Sequence, residues 1–149
     1  MPRCKMVAFL TTETSREALP DFGANEALEG PLVANSKLLD YLKTLPPPAV
    51  DLELRALCSG PQDEEGIALL GSLFAWFTQR FLTGTDFEVL EAYLHRTLLL
   101  HSDTALSQPS LLPVTRAVAE AHSVGTGRLR ELVQSNLCML KLLANIPPL

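Results

Sequence analysis

The chain is predicted to be all-α, an irregular bundle of about five to six antiparallel helices arranged as stacked helical hairpins, and three observations carry that prediction. From Asn25 onward, apolar residues recur at three- and four-residue spacing between stops made of Pro and Gly. No stretch combines strand-like alternation with hairpin turn chemistry, apart from a weak candidate over Met6 to Leu10. The most apolar stretch, Ile67 to Leu82, is apolar on almost every side and reads as a helix at the centre of a core. With 149 residues, of which 47% are apolar and 19% charged, the chain has the size of one domain with one core.

Residues 1–24 are polar, rich in Thr, Glu and Ser and interrupted by Pro20 and Gly23, so they are expected to be a linker or docking tail preceding a helical domain over 25–149. Ser36 to Leu45 lines up Leu38, Leu39, Leu42 and Leu45 behind an Asn35 or Ser36 N-cap, and Pro46-Pro47-Pro48 ends it. Ala49 to Cys58 turns Val50, Leu54, Leu57 and Cys58 inward, with Asp51 and Glu53 near its positive start. Asp63 to Thr83 is the long central helix, stopped by Gly84. Trp76 falls on the side opposite Phe74 and Phe81, so it is either covered by a second layer of helices or an anchor for a partner.

Thr85-Asp86-Phe87-Glu88 has the form of a capping box, opening a helix expected to reach about His101 with Phe87, Leu90, Leu94, Leu98 and His101 on one stripe. Ser110 then caps a helix to Ser123 that tolerates Pro113 in its first turn. Gly125 and Gly127 punctuate, and Arg128 to Asn145 closes the domain along a seam of Leu129, Leu132, Val133, Leu137, Leu140 and Leu143.

The charge balance, 12 Lys+Arg against 17 Asp+Glu for a net of -5, has the wrong sign for a domain that grips nucleic acid, and the basic residues form no stripe. Three cysteines without a CxxC pair argue against a disulfide framework or a zinc site and for a reducing compartment. Val7 to Leu10 is too short for a signal peptide, and Ile67 to Leu82 is too short for a membrane span. The expectation is a soluble intracellular domain without a cofactor.

Catalytic chemistry finds little purchase. His95 and His101 stand six apart on one helix, and His101 and His122 each occupy a helix C-terminal position that favours partial positive charge. Cys58 and Cys138 lie on apolar faces and read as small core residues. Asp63-Glu64-Glu65 suits a helix start better than a Ca²⁺ loop, and Gly125-Thr126-Gly127 follows a helix where a nucleotide fingerprint follows a strand. The least implausible catalytic actors are Glu88, His101 and Cys138, which no spacing brings together.

Three ordered blocks resemble a known family. Pro48-Ala49-Val50-Asp51-Leu52-Glu53-Leu54-Arg55-Ala56-Leu57 is similar to a Pro-x-x-Ile-Asp/Glu-x-Glu-Leu-Arg-Ser/Thr-Leu signature in the C-terminal domain of a WD-repeat family. Asp86-Phe87-Glu88 continuing through Ala92-Tyr93-Leu94 to His101 resembles its central helix, and Ser135 to Leu140, with Cys138, its closing Gln-Ser-x-Cys-x-Leu helix. That family comprises tandem-propeller subunits of the small-subunit processome, the U3 small nucleolar RNP assembly that processes the 18S rRNA precursor. Thr85 stands where the family has Arg or Lys, Glu91 where it has Gln, and the loop 59–65 differs.

The resemblance covers about Leu32 to Leu143 and implies a non-enzymatic, nucleolar scaffold. Its partners would be the other propeller subunits of the UtpB subcomplex, with U3 snoRNP and pre-rRNA held indirectly. Since no propeller lies in this sequence, it also implies the C-terminal part of a longer protein, with residues 1–24 where the propeller linker belongs. The alternative is a free-standing helical adaptor that binds a peptide or helix of a partner. In either case Phe87→Ala should cost about 3–5 kcal/mol, read as a lowered denaturation midpoint; an unchanged midpoint would mean that the helix register is wrong.

Overall fold

The computed structural model describes residues 5–14 and 30–144. Six helices follow in order, α1 (Lys5–Thr14), α2 (Gly30–Thr44), α3 (Pro47–Arg55), α4 (Glu64–Thr83), α5 (Phe87–Ser107) and α6 (Leu112–Ala144), and the described residues contain no strand. The fold is all-α, as the periodicity predicts.

α4 is the axis. Leu69, Leu70, Leu73, Phe74, Trp76, Phe77 and Phe81 are all buried, over about half of the helix circumference. The expected burial on almost every side is corrected, because Ala68, Ala75, Gln79 and Leu82 on the other half are exposed, with no described helix over them. Its start is fixed by Asp63, whose carboxylate accepts from the Gly66 and Ser59 backbone N–H groups, each at 2.9 Å. Gly84 ends it in the left-handed conformation, φ 72°, where a Cβ would be strained.

α5 returns beside α4, so that Gln108, just past its end, donates to the Pro61 carbonyl before α4 at 2.8 Å. α6 then runs parallel to α4. At its start Leu111 packs beside Gly71 in the middle of α4, and further along Arg128 reaches the Leu82 carbonyl near the end of α4. α6 is longer than the space beside α4 and continues past the α4–α5 turn.

Several expected boundaries shift, each for a physical reason. Residues 5–14, expected to be linker with a weak strand at Met6 to Leu10, form a helix; Met6 and Leu10, one turn apart, are both fully buried in the common core. The expected boundary near Asn25 lies outside the described residues. α2 begins at Gly30 instead of at an Asn35 or Ser36 cap, with Pro31 in its first turn, where the missing N–H costs nothing. The prolines after α2 also open α3, because Pro47 and Pro48 occupy its first two positions. Cys58 therefore falls in the loop beyond α3, still buried, with its thiol on the Gly60 carbonyl.

The capping box does not form. Thr85 lies outside α5, and Asp86 takes the N-cap position at φ 56° without a side-chain cap bond, held instead by Lys43 at 2.6 Å. α5 passes through His101 with a kink (φ −126°) and ends at Ser107, so His101 is not a C-terminal residue. Ser110 lies in a turn ahead of α6, and the Leu111 carbonyl receives the first α6 bond, from Thr115.

Gly125 and Gly127 do not break α6. Gly125 is buried against Phe87 of α5, whose Cε2 would stand 2.6 Å from an added Cβ, so this glycine provides the close approach of two helices. Gly127 faces open space. Alanine substitution should therefore act with opposite sign at two positions only two residues apart: Gly127→Ala raises stability by up to about 1 kcal/mol through helix propensity, and Gly125→Ala lowers it by about 1–3 kcal/mol through overpacking. Chemical denaturation of both variants checks this.

The two backbone bonds that Asp63 accepts hold its carboxyl below the usual aspartate range. A depressed carboxyl contributes stability that is present above its unfolded pKa and lost as pH falls through the folded one. Asp63→Ala should cost about 0.5–2 kcal/mol at pH 7, with the difference from wild type shrinking below about pH 4; acid titrations of unfolding measure it.

Candidate interaction surface

The residues of the first block are structural pins. Asp51 is bound by Arg55 one turn on, at 2.9 Å, and by Arg96 of α5, which ties α3 to α5. Glu53 accepts from the Tyr41 hydroxyl of α2 at 3.0 Å and from the Met6 backbone N–H of α1 at 3.2 Å. One carboxylate thus joins α1, α2 and α3. His101 is buried and its Nε2 donates to the Leu54 carbonyl at 2.8 Å, so a second bond between α5 and α3 is satisfied inside the core.

In the second block, Phe87 meets Phe81 of α4 edge-on at 5.3 Å and stacks on His122 of α6 at 5.5 Å, a three-ring contact that gathers α4, α5 and α6. Tyr93 is half-buried, and burial pushes its phenol above the usual range. His122 also lies 3.4 Å from Glu91, at the rim of an apolar groove of about 350 Å³ between α5 and α6 floored by Phe74, Leu94, Leu98 and Val118.

Trp76 is 2% exposed and in edge contact with Phe77 at 5.1 Å, so it is covered and offers no anchor to a partner. The three catalytic candidates stay apart. His101 is in the core, Glu88 is exposed in the first turn of α5 about 20 Å away along the helix, and Cys138 is exposed on the far half of α6. Among the described residues, no group of three His, Cys, Asp or Glu could hold a metal ion.

Cys138 leads to the feature that distinguishes this surface. The first half of α6 is part of the core through Val118, Ala121 and Gly125. From Gly127 to Ala144 every residue is exposed, a length of about 27 Å at 1.5 Å per residue. The expected closing seam is present, but no described residue covers it: Leu129, Leu132, Val133, Leu137, Leu140 and Leu143 are 45–63% exposed, and Met139 and Leu142 join them. Soluble monomers rarely present so continuous an apolar surface unless something else occupies it. The expectation that Cys138 is a core residue is corrected on the same ground.

A protein-family model, that of the Utp21-specific WD40-associated domain, matches residues 28–144. The chain belongs to this family. The match spans α2 to α6 and so takes in all three blocks, and it makes the chain a WD40-associated domain of the ribosome-biogenesis kind, from a family of non-enzymatic factors. A comparison with curated proteins gave no match.

In this member of the Utp21 family, Asp51, Glu53, Phe87 and His101 lie at joints between helices, Arg55 pairs with Asp51 within α3, and Cys138 lies on the projecting helix. Sequence reasoning missed the partners of those joints. Arg96 is 45 residues from Asp51, and Met6 is 47 from Glu53, separations that no local pattern reports.

Proposed function

We propose that this domain is a non-enzymatic scaffold of the small-subunit processome, docking a Utp21-type propeller protein among the other propeller subunits of the UtpB subcomplex in the nucleolus and so supporting 18S pre-rRNA processing. The uncovered apolar stripe of α6 carries this reading. It is about five helical turns long, rich in Leu and presented away from the bundle, the form of a helix that seats in a groove or pairs with a partner helix. Family membership supports the ribosome-assembly setting.

The exposed half of α6 has charges Arg128, Arg130, Glu131 and Lys141 beside eight large apolar residues. Three cations are too few for a tight grip on a phosphate backbone in a chain of net charge -5. RNA is held by the assembly, and this domain holds proteins.

Leu132→Asp with Leu140→Asp tests the reading. Because both side chains are already exposed, the melting temperature should stay within about 2 °C of wild type. The tagged full-length wild-type protein should bring down U3 snoRNA and other propeller subunits, and the variant at least about tenfold less, the loss expected when central apolar anchors worth over 1.4 kcal/mol go. A wild-type eluate without them would sink the proposal; equal recovery by the variant would show that α6 is not the docking element.

A further inference from the structure

The turn between α4 and α5 is ringed by cations that the fold uses only partly. Residues Leu82 to Asp86 are all exposed. Three helices send a basic side chain to them: Lys43 of α2 lies 2.6 Å from the Asp86 carboxylate, Arg80 of α4 lies 3.7 Å from it, and Arg128 of α6 donates to the Leu82 carbonyl at 3.5 Å. One quarter of the chain's 12 Lys and Arg thus meets one five-residue stretch, the end of α4 and the turn after it, and the carboxylate shown facing them is that of Asp86.

Arg80 is the least satisfied of the three. It is 9% exposed, its Nε has no hydrogen-bond partner, and its Nη2 donates to the Thr85 hydroxyl at 3.4 Å. Charge-assisted bonds normally close to about 2.7–2.9 Å, so this buried guanidinium is held by long contacts aimed at Thr85 and Asp86. The Thr83 hydroxyl donates to the Arg80 carbonyl at 2.7 Å. In the 3.2 Å contact between the two threonines, Thr85 is therefore the donor, and its lone pairs face Arg80.

The same turn has the chemistry of a kinase substrate. Thr85-Asp86-Phe87-Glu88 places carboxylates one and three residues after an exposed hydroxyl, the pattern that protein kinases with basic substrate clefts select. With the capping box unformed, the Thr85 hydroxyl is not committed to the backbone of α5.

We propose that Thr85 is a phosphorylation site for an acid-directed Ser/Thr kinase, and that Arg80, Lys43 and Arg128 are the receptor for its phosphate. In the transfer the Thr85 oxygen forms a bond to the γ-phosphorus of ATP as the β,γ-bridging P–O bond breaks. ADP leaves, and the hydroxyl proton passes to the base of the kinase. Three cations and one carboxylate give the turn a charge of +2, and a phosphate of about −1.5 to −2 brings it close to neutral. The modified residue would brace α2, α4 and α6 at the point where α6 leaves the bundle.

The experiment treats the whole chain with casein kinase 2 and magnesium ATP, maps the phosphate by peptide mass spectrometry, and compares melting curves. Phosphate at Thr85, abolished by Thr85→Ala, should raise the melting temperature by roughly 2–4 °C. The rise should disappear when Lys43→Gln and Arg128→Gln are combined, with circular dichroism confirming that this variant is folded. No phosphate at Thr85, phosphate on Thr83 instead, or a melting temperature that stays level or falls would overturn the proposal.

Discussion

α4 must bury about half of its circumference, and the rest of the fold follows from that constraint. A narrow apolar stripe needs one neighbour, but the buried face of α4 runs from Trp76 round to Phe74, about 160° at 100° per residue, so it requires several, while Ala75, Gln79 and Leu82 stay exposed. α1, α5 and α6 pack against it, and α2 and α3 close the bundle through contacts with α1 and α5. Removing any wall would expose aromatic surface worth about 1.5–3 kcal/mol per side chain. That is why even the ten-residue α1, with two fully buried side chains, is held in place.

Apolar packing alone leaves helices free to slide, and the polar pins remove that freedom. Glu53 serves α1 and α2, Asp51 serves α5, and His101 bonds the carbonyl of Leu54 from the middle of α5. All three meet α3, the shortest helix of the six. Its role is register: it buries only Val50 and Leu54, yet it fixes three longer helices with directional bonds. The family block Pro48 to Leu57 is thus a block of joints, which explains why charged residues stand in it at positions that periodicity alone would leave to solvent.

How much of this was legible in the sequence depended on whether the deciding contact was local. The bounds of the central helix were legible, since the Asp63 start and Gly84 stop of α4 lie within one stretch of chain, whereas its apolar pattern overstated its burial, because Ala68, Ala75 and Leu82 face water. α1 was not: Met6 and Leu10 supply a single helical repeat, too little periodicity to separate from a short strand. The continuity of α6 was hidden because Gly125 reads as a breaker until Phe87, 38 positions earlier, is known to press against it. The capping box misled because Asp86, not Thr85, takes the N-cap, in the left-handed conformation and bound by Lys43, a partner 43 positions earlier that no local pattern reports. In the interaction surface the seam itself was legible but its exposure was not, since an amphipathic pattern states that a face is to be covered and is silent on which chain covers it.

That seam also explains how an uncovered helix can persist. An isolated helix of 18 residues is marginal in water because its first turn is costly to nucleate. The exposed half of α6 bears no such cost, since it continues a helix already nucleated against α4 and locked by Phe87 at Gly125. Each further residue need only propagate. The bundle therefore serves as a nucleus that holds eight large apolar side chains in helical register before any partner arrives, so little of the ordering entropy is left for association to overcome. The short loops and the parallel placement of α6 on α4 direct this helix past the α4–α5 turn, where nothing in the described bundle can fold back over it. An apolar helix held in register and left uncovered by the described residues of its own domain has the form that suits an external groove or helix, and its exposure follows from the length of α6 relative to α4.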